Sequence, residues 1–181
     1  MRTNARCLTA VALSVLLASI SSTADAAKDE VRELQWEDLM PKDWVPFDPW
    51  NDLDQNQIQK LTDGSAEEQR MMQEYIKAKS SAPVVAALDG QRVKLPGYVV
   101  PLDFDGTEVS EFLLVPYFGA CIHVPPPPSN QIVFVKSGKP YTIDGMFTAV
   151  WVTGTLTTKA VLNLVGDAGY TLAATKIEPY E

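Results

Sequence analysis

Cysteine and histidine are the scarcest chemistry-bearing residues in this 181-residue chain, with two cysteines and one histidine. Cys121 and His123 stand two positions apart within Pro116–Gln131, PYFGACIHVPPPPSNQ. In extended backbone, residues i and i+2 point to the same face, so the thiol and the imidazole can converge on one point. Thiolate and neutral imidazole are good ligands for Zn²⁺ and also suit copper. A structural zinc site takes four protein ligands, so this pair is half of one. Carboxylates, a second copy of the chain, a partner protein or water would supply the rest. Asp103, Asp105 and Asp144 are carboxylates that the sequence does not place. The same pair fits a reactive thiol whose thiolate the imidazole stabilises. It also fits a buried structural cysteine beside a histidine that caps a loop.

The residues around the pair would shape such a site. Pro125, Pro126, Pro127 and Pro128 favour a stiff polyproline II run without internal hydrogen bonds. Asn130 and Gln131 can hydrogen-bond the loop backbone and fix its form. Tyr117 and Phe118 lead into the loop and are candidate contact residues. The candidate partner-binding set is therefore Tyr117, Phe118, Pro125–Pro128 and Asn130, with Cys121 and His123 as candidate ligands for zinc or copper.

Composition narrows the functions. Hydrophobic residues make up 46% and charged residues 21%, an ordinary globular balance. Fifteen Lys and Arg against 23 Asp and Glu give a net charge of -8. An acidic chain is a poor binder of nucleic-acid phosphates or anionic lipid. The length fits one domain with decoration.

Residues 1–26 read as a secretory signal peptide. Arg2 and Arg6 open it, an apolar run from Cys7 to Ile20 follows, and Ala24-Asp25-Ala26 gives small residues at a cleavage site. The apolar run is too short to cross a hydrocarbon core of ~30 Å. Cleavage after Ala26 removes two cations, one acid and Cys7, which takes the charge from -8 to -9. The exported chain then holds one cysteine and can form no internal disulfide. A lone thiol in an oxidising compartment risks mispairing, so it should be protected, occupied or used.

Three stretches follow. An N-terminal arm and helix occupy 27–81, and a β domain occupies 82–181. In the arm, Trp36, Trp44 and Trp50 alternate with Pro41, Pro46 and Pro49, which block long helices. Short helical turns are expected near Trp36–Leu39 and Gln55–Leu61, with the tryptophans packing onto the body. Ser65 and Glu68 have capping-box spacing and predict a helix over 65–79. Met71, Met72, Tyr75 and Ile76 share one face of it, which reads as packing rather than copper binding. Five strands are expected at Gln91–Leu102, Glu111–Tyr117, Gln131–Lys136, Ala149–Thr157 and Tyr170–Ile177, separated by turn residues. Bends are expected at Gly97 and Gly154. Five strands with a bent first strand and no crossover helix predict a mainly β fold, a small antiparallel barrel of the oligonucleotide/oligosaccharide-binding (OB) type. Fold alone assigns no ligand.

At PYFGACIHVPPPPSNQ, with GYVVPL upstream and VWVTGTL downstream, the chain resembles a family of small exported bacterial proteins of unknown function. The resemblance covers most of the chain after the leader. It implies an OB-like fold. Some family members are encoded beside an ABC transporter of the efflux-permease type and a His-rich periplasmic protein linked to zinc supply. The resemblance thus implies a periplasmic accessory role around metal handling, with an ABC-type transporter or another periplasmic protein as partner. Cys121, His123 and Pro125–Pro128 map onto the family's motif. It carries over no catalytic residue. The rival readings are a thiol-dependent redox protein or enzyme using Cys121 and His123, and a purely structural interaction module.

Overall fold

The computed structural model describes residues 30–51, 53–60, 64–102, 106–120 and 126–180. The leader expected over 1–26 lies outside the described residues. Six strands form one sheet: β1 (Arg32–Glu33), β2 (Arg92–Pro101), β3 (Glu108–Val115), β4 (Val133–Thr142), β5 (Ala149–Thr157) and β6 (Tyr170–Pro179). Helices α1 (Gln55–Lys60) and α2 (Ala66–Ser80) precede β2, and 3₁₀ turns occupy Trp36–Leu39, Ala86–Leu88 and Ser129–Gln131.

Strands β2 to β6 close into a barrel. The order is β2-β3-β4-β6-β5, and β5 pairs back onto β2. Every neighbouring pair in this ring is antiparallel except β4–β6, which is parallel. An all-antiparallel ring of five cannot exist, because strand direction must alternate and an odd ring cannot alternate all the way round. The expectation of an antiparallel barrel is corrected at that one pair. β2 is long enough to serve three neighbours. Residues 92–98 pair with β5, residues 98–101 pair with β3, and the two residues of β1 lie parallel to Val93 and Lys94.

Two glycines permit this closure. A Cβ on Gly97 would lie 2.7 Å from Leu114 Cγ and 2.9 Å from the Val115 carbonyl oxygen, where β2 turns from β5 to β3. Gly154 lies at a register shift between β5 and β6, and a Cβ there would strike the Ala173 carbonyl. Both sit at the predicted bends. β4 runs past Lys136, where the sequence signals a turn at Ser137-Gly138. Those residues form an irregularity, with the Ser137 hydroxyl donating to the Lys139 carbonyl at 2.7 Å, and pairing with β3 resumes at Tyr141.

The barrel interior holds Val93, Leu95, Val99, Phe112, Leu114, Val133, Val135, Val150, Val152, Leu156, Tyr170 and Leu172. Leu34, Trp36 and Leu39 from the arm join the same core, so the segment before the helices plugs the barrel rather than lying loosely upon it. Each fully buried side chain of this size stabilises by roughly 1.5–3 kcal/mol. The Trp36 indole N–H donates to the Pro96 carbonyl at 2.8 Å. The Tyr170 hydroxyl donates to the Leu39 carbonyl at 2.8 Å and accepts from the Val85 N–H at 2.6 Å.

A second apolar layer lies on the opposite face of β2, β3 and β4. It comprises Val100, Leu113, Val115, Ala120, Ile132, Phe134 and Ala168, with Tyr98, Leu102, Phe147, Val161 and Val165 packed against it. This layer explains the unbroken Phe112–Val115 run in β3: all four residues are buried, alternately inside the barrel and beneath loops. Helix α2 behaves differently from its predicted role. Ser65 caps it by accepting from the Glu68 N–H at 3.2 Å. None of its residues is buried, and Met72 and Ile76 face water. Its contact with the arm is aromatic, with Tyr75 set edge-on to Trp50 at 5.2 Å between ring centroids. Among the described residues, no helix is long and apolar enough to cross a membrane.

Candidate functional site

The segments that flank the Cys-His pair, residues 116–120 and 126–132, are fastened differently, and Ala120 and Ile132 belong to the second apolar layer. On the entry side, β3 delivers Val115 into the layer and the chain turns at Tyr117–Ala120, where the Ala120 N–H donates to the Tyr117 carbonyl at 3.4 Å. Gly119 takes φ +82°, which costs glycine little and other residues more. Ala120 is fully buried and anchors this end.

Phe118 remains 71% exposed although it has two aromatic neighbours. Its ring lies 4.8 Å from Phe147 and 6.3 Å from Tyr98, the latter edge-on. Phe147 itself holds φ +62°, a region that bulky residues seldom adopt. Its N–H donates to the Val99 carbonyl at 2.8 Å, which fixes the turn in that form. Backbone geometry thus places Phe147 as a brace beneath Phe118. Tyr117 is 46% exposed.

On the exit side, Lys79 at the end of α2 donates to the Pro126 carbonyl at 3.0 Å, and its ammonium lies 4.4 Å from the centre of the Tyr75 ring. Pro126 is exposed, Pro127 is buried and Pro128 lies between. The chain then enters the 3₁₀ turn. Ser129 donates through its hydroxyl to the Ala82 carbonyl at 3.4 Å, and its own carbonyl accepts from the Gly169 N–H at 2.7 Å. Asn130 is fully buried; its amide donates to the Pro83 carbonyl at 3.0 Å, while its Oδ1 has no hydrogen-bond partner among the described residues. Gln131 donates to the Trp36 carbonyl at 2.8 Å.

The predicted contact residues therefore divide. Tyr117, Phe118 and Pro126 face solvent, whereas Pro127 and Asn130 face the body, where Asn130 ties the loop to the segment before β2. Cys121, His123 and Pro125 lie outside the described residues. Among the described residues, no group of three or more His, Cys, Asp or Glu side chains converges as a metal would require. The sequence does not single out Phe147, Tyr98 or Lys79. Lys79 and Pro126 are 47 residues apart, and nothing local to either announces the other.

A cleft of about 150 Å³ opens beside this surface, lined by residues that include Trp36, Gly97, Tyr98, Pro116 and Tyr180. Of the two tyrosines whose acidity is shifted, neither lines this cleft. Burial raises the pKa of Tyr170, partly offset by the hydrogen bond from Val85, and burial followed by the nearby Asp144 charge raises that of Tyr141. These shifts belong to packing rather than to the loop.

Strand order, the single parallel pair and the bent β2 define an OB-like barrel. The chain belongs to the family described as "Protein of unknown function (DUF3299)", whose sequence profile matches residues 36–179. Among solved structures, it is similar to a DUF3299 family protein from Pseudomonas aeruginosa PAO1. The two are 42% identical, the match covers 84% of this chain and 97% of that one, and the TM-score is 0.63. No curated protein matches.

Proposed function

We propose that the protein is a periplasmic accessory protein that binds an envelope partner through the 117–131 loop and offers Cys121 and His123 to a transition metal at that contact. The observation that carries this reading is Phe118. It stands 71% exposed, yet it is braced by Phe147 and Tyr98 on a doubly packed sheet. Rigid, exposed aromatic side chains are the usual anchors of protein interfaces, because little conformational entropy is lost when they are covered.

The metal part rests on the sequence spacing of the pair. Two ligands leave a tetrahedral ion half-coordinated, so a partner that donates the other two would make metal binding and docking one event. Zinc and copper(I) both suit thiolate and imidazole. The resemblance to exported proteins encoded beside an ABC-type transporter and a zinc-linked protein points to that transporter, or to another periplasmic protein, as the partner.

A photo-crosslinking residue at position 118 of the exported chain would trap the partner for identification. Its affinity would then be measured with the purified wild type, with Phe118→Ser, and with Cys121→Ala/His123→Ala, in Zn²⁺ and in chelator. We expect Phe118→Ser to weaken binding at least about tenfold, as loss of an aromatic anchor does. Chelation should weaken the wild type and leave the double variant unchanged. Equal affinity for wild type and Phe118→Ser would overturn the docking surface. Indifference of the wild type to chelator would overturn the metal.

A further inference from the structure

The cleft of about 150 Å³ is built across three strand ends. Tyr98 of β2 pairs with Ala149 of β5, and just past β6 the Tyr180 N–H donates to the Ala149 carbonyl at 3.1 Å. The small Ala149 thus lies between two tyrosines, one on each side. Neighbouring strands are about 4.8 Å apart, which sets the tyrosine backbones roughly 10 Å apart. A gap of that width admits one ring in contact with both. Pro96, Pro116 and Trp36 complete the walls, and no charged residue lines the cleft. Among the described residues, neither the Tyr98 nor the Tyr180 hydroxyl is hydrogen-bonded. Beside Tyr180 stands Trp151, 5.2 Å away between ring centroids, with the Lys94 ammonium 4.3 Å from the Trp151 ring centre.

This chemistry selects an occupant. Aromatic-lined grooves take extended segments that contain proline, because the stiff ring fills the gap at little entropic cost. The bare carbonyls of such a segment can accept from the free phenol hydroxyls. The chain carries one on its own surface. The Trp44 N–H closes a turn on the Pro41 carbonyl at 3.0 Å, and the Asn51 N–H closes another on the Asp48 carbonyl at 3.2 Å. Between these turns run Val45, Pro46 and Phe47, which belong to no helix or strand. Val45 is 79% exposed, Phe47 is 47% exposed, and Pro46 between them faces water. Among the described residues, no hydrogen bond holds the backbone of these three. Asp43 and Asp48 flank them. Those two acids complement Lys94, which has no carboxylate at ion-pair distance among the described residues. The proline-rich run after the Cys-His pair does not fit, because Pro127 is buried and Lys79 holds the Pro126 carbonyl.

We propose that the cleft of one copy receives Val45, Pro46 and Phe47 of a second copy, so that the chain associates with itself through two features left open in the single chain. Two copies that give and receive at once make the contact twice about a two-fold axis. The net charge of -8 opposes pairing only weakly, since charges farther apart than ~8 Å are screened at physiological salt. Pairing of this kind needs neither a transition metal nor an outside partner, so it stands or falls apart from the metal-dependent docking proposed for the Cys-His loop.

The test is sedimentation equilibrium of the purified protein in chelator and reductant, so that neither a shared metal nor a Cys121 disulfide can join two copies. The wild type is compared with Pro46→Gly/Phe47→Ser in the segment, and with Ala149→Leu and Tyr180→Ser in the cleft. All four positions are exposed or half-buried, so each variant should keep a thermal midpoint near that of the wild type. We expect the wild type to associate reversibly below about 0.1 mM. The segment variant and either cleft variant should associate at least about tenfold more weakly, as loss of an interface anchor does. Mixing the segment variant with a cleft variant should restore association, because one contact between them is intact. A photo-crosslinking residue in place of Phe47, in a mixture of isotopically light and heavy protein, should join the two isotopic forms near Ala149 or Tyr180. A wild type that stays monomeric at that concentration, or variants that associate as well as it does, would overturn the pairing. So would adducts confined to single chains, which would make the segment a strap over its own cleft. Capture of a different protein from cells by a crosslinker at Tyr180, with the purified chain monomeric, would give the cleft to an outside partner and overturn it equally.

Discussion

Tyr170 sets a phenol hydroxyl between two backbone groups, the Leu39 carbonyl and the Val85 N–H. Replacing it with phenylalanine keeps the ring and strands both groups, one of them beside a fully buried leucine. Leaving buried polar groups unmatched costs about 1–3 kcal/mol, so Tyr170→Phe should lower stability by about 2 kcal/mol at neutral pH in a urea titration. The pH dependence has a definite sign. Burial raises the folded-state pKa above the ordinary 10.0, so above that pH the folded state holds a proton that the unfolded state releases. The contribution is complete below pH 10.0 and is lost as pH climbs through the raised value. Stability measured from pH 8 upward should therefore fall less steeply in Tyr170→Phe than in the wild type; parallel curves would refute the assignment. At this scale the sequence is readable where a residue is scarce or has one plausible use. Cys121 and His123 are conspicuous because nothing else competes with them, and Trp36 is buried as an arm tryptophan should be. Asn130 admits two uses, contact with a partner or support of the backbone, and only its burial against Pro83 separates them. Phe147 is unreadable in advance, because its value comes from a backbone angle that its type disfavours.

Among elements, the β5–β6 pair depends on Gly154. A side chain there meets Ala173 and Ala174 backbone, with Ala174 Cα only 2.9 Å from the new Cβ, and backbone in a ladder cannot step aside. Gly154→Ala should cost about 2–3 kcal/mol through overpacking. Gly138→Ala, which meets nothing within 4 Å, should be close to neutral. Thermal unfolding of the two variants side by side checks this, and equal midpoints would remove Gly154 from the account. The limits of β5 are legible in the sequence, because strict alternation of buried and half-buried residues runs from Ala149 to Thr157. The extent of β4 is not, because Ser137-Gly138 has turn chemistry and only the ladder to Tyr141 shows that the strand continues. The helix at 66–80 is announced by its cap, whereas the fate of its apolar face depends on what the arm places beside it. Met72 and Ile76 face water, while Tyr75 makes the aromatic contact with Trp50 of the arm.

For the molecule as a whole, the leader expected from the sequence predicts that the protein isolated from its native cells begins at Ala27, and intact-mass measurement with N-terminal sequencing would show it. A chain that retains residues 1–26 would count against export by this route. The closed barrel was foreseeable from five β-rich stretches and a glycine bend. The arm's entry into the barrel core was not, because Leu34 and Leu39 sit in a polar, proline-broken segment and meet their partners only through long-range packing.

The tie between Leu39 and Tyr170 spans 131 residues, and it has a temporal meaning. A chain that is made N-terminus first presents its plug, both helices and four barrel strands before β6 is free. Until then β4 and β5 lack their shared neighbour, the ring stays open, and both strands offer unpaired edges beside a wetted apolar interior. Contacts this distant in sequence also form slowly. The arrival of β6 therefore decides when the chain stops being sticky, and the interval before it is when a holdase or a protease has its opportunity.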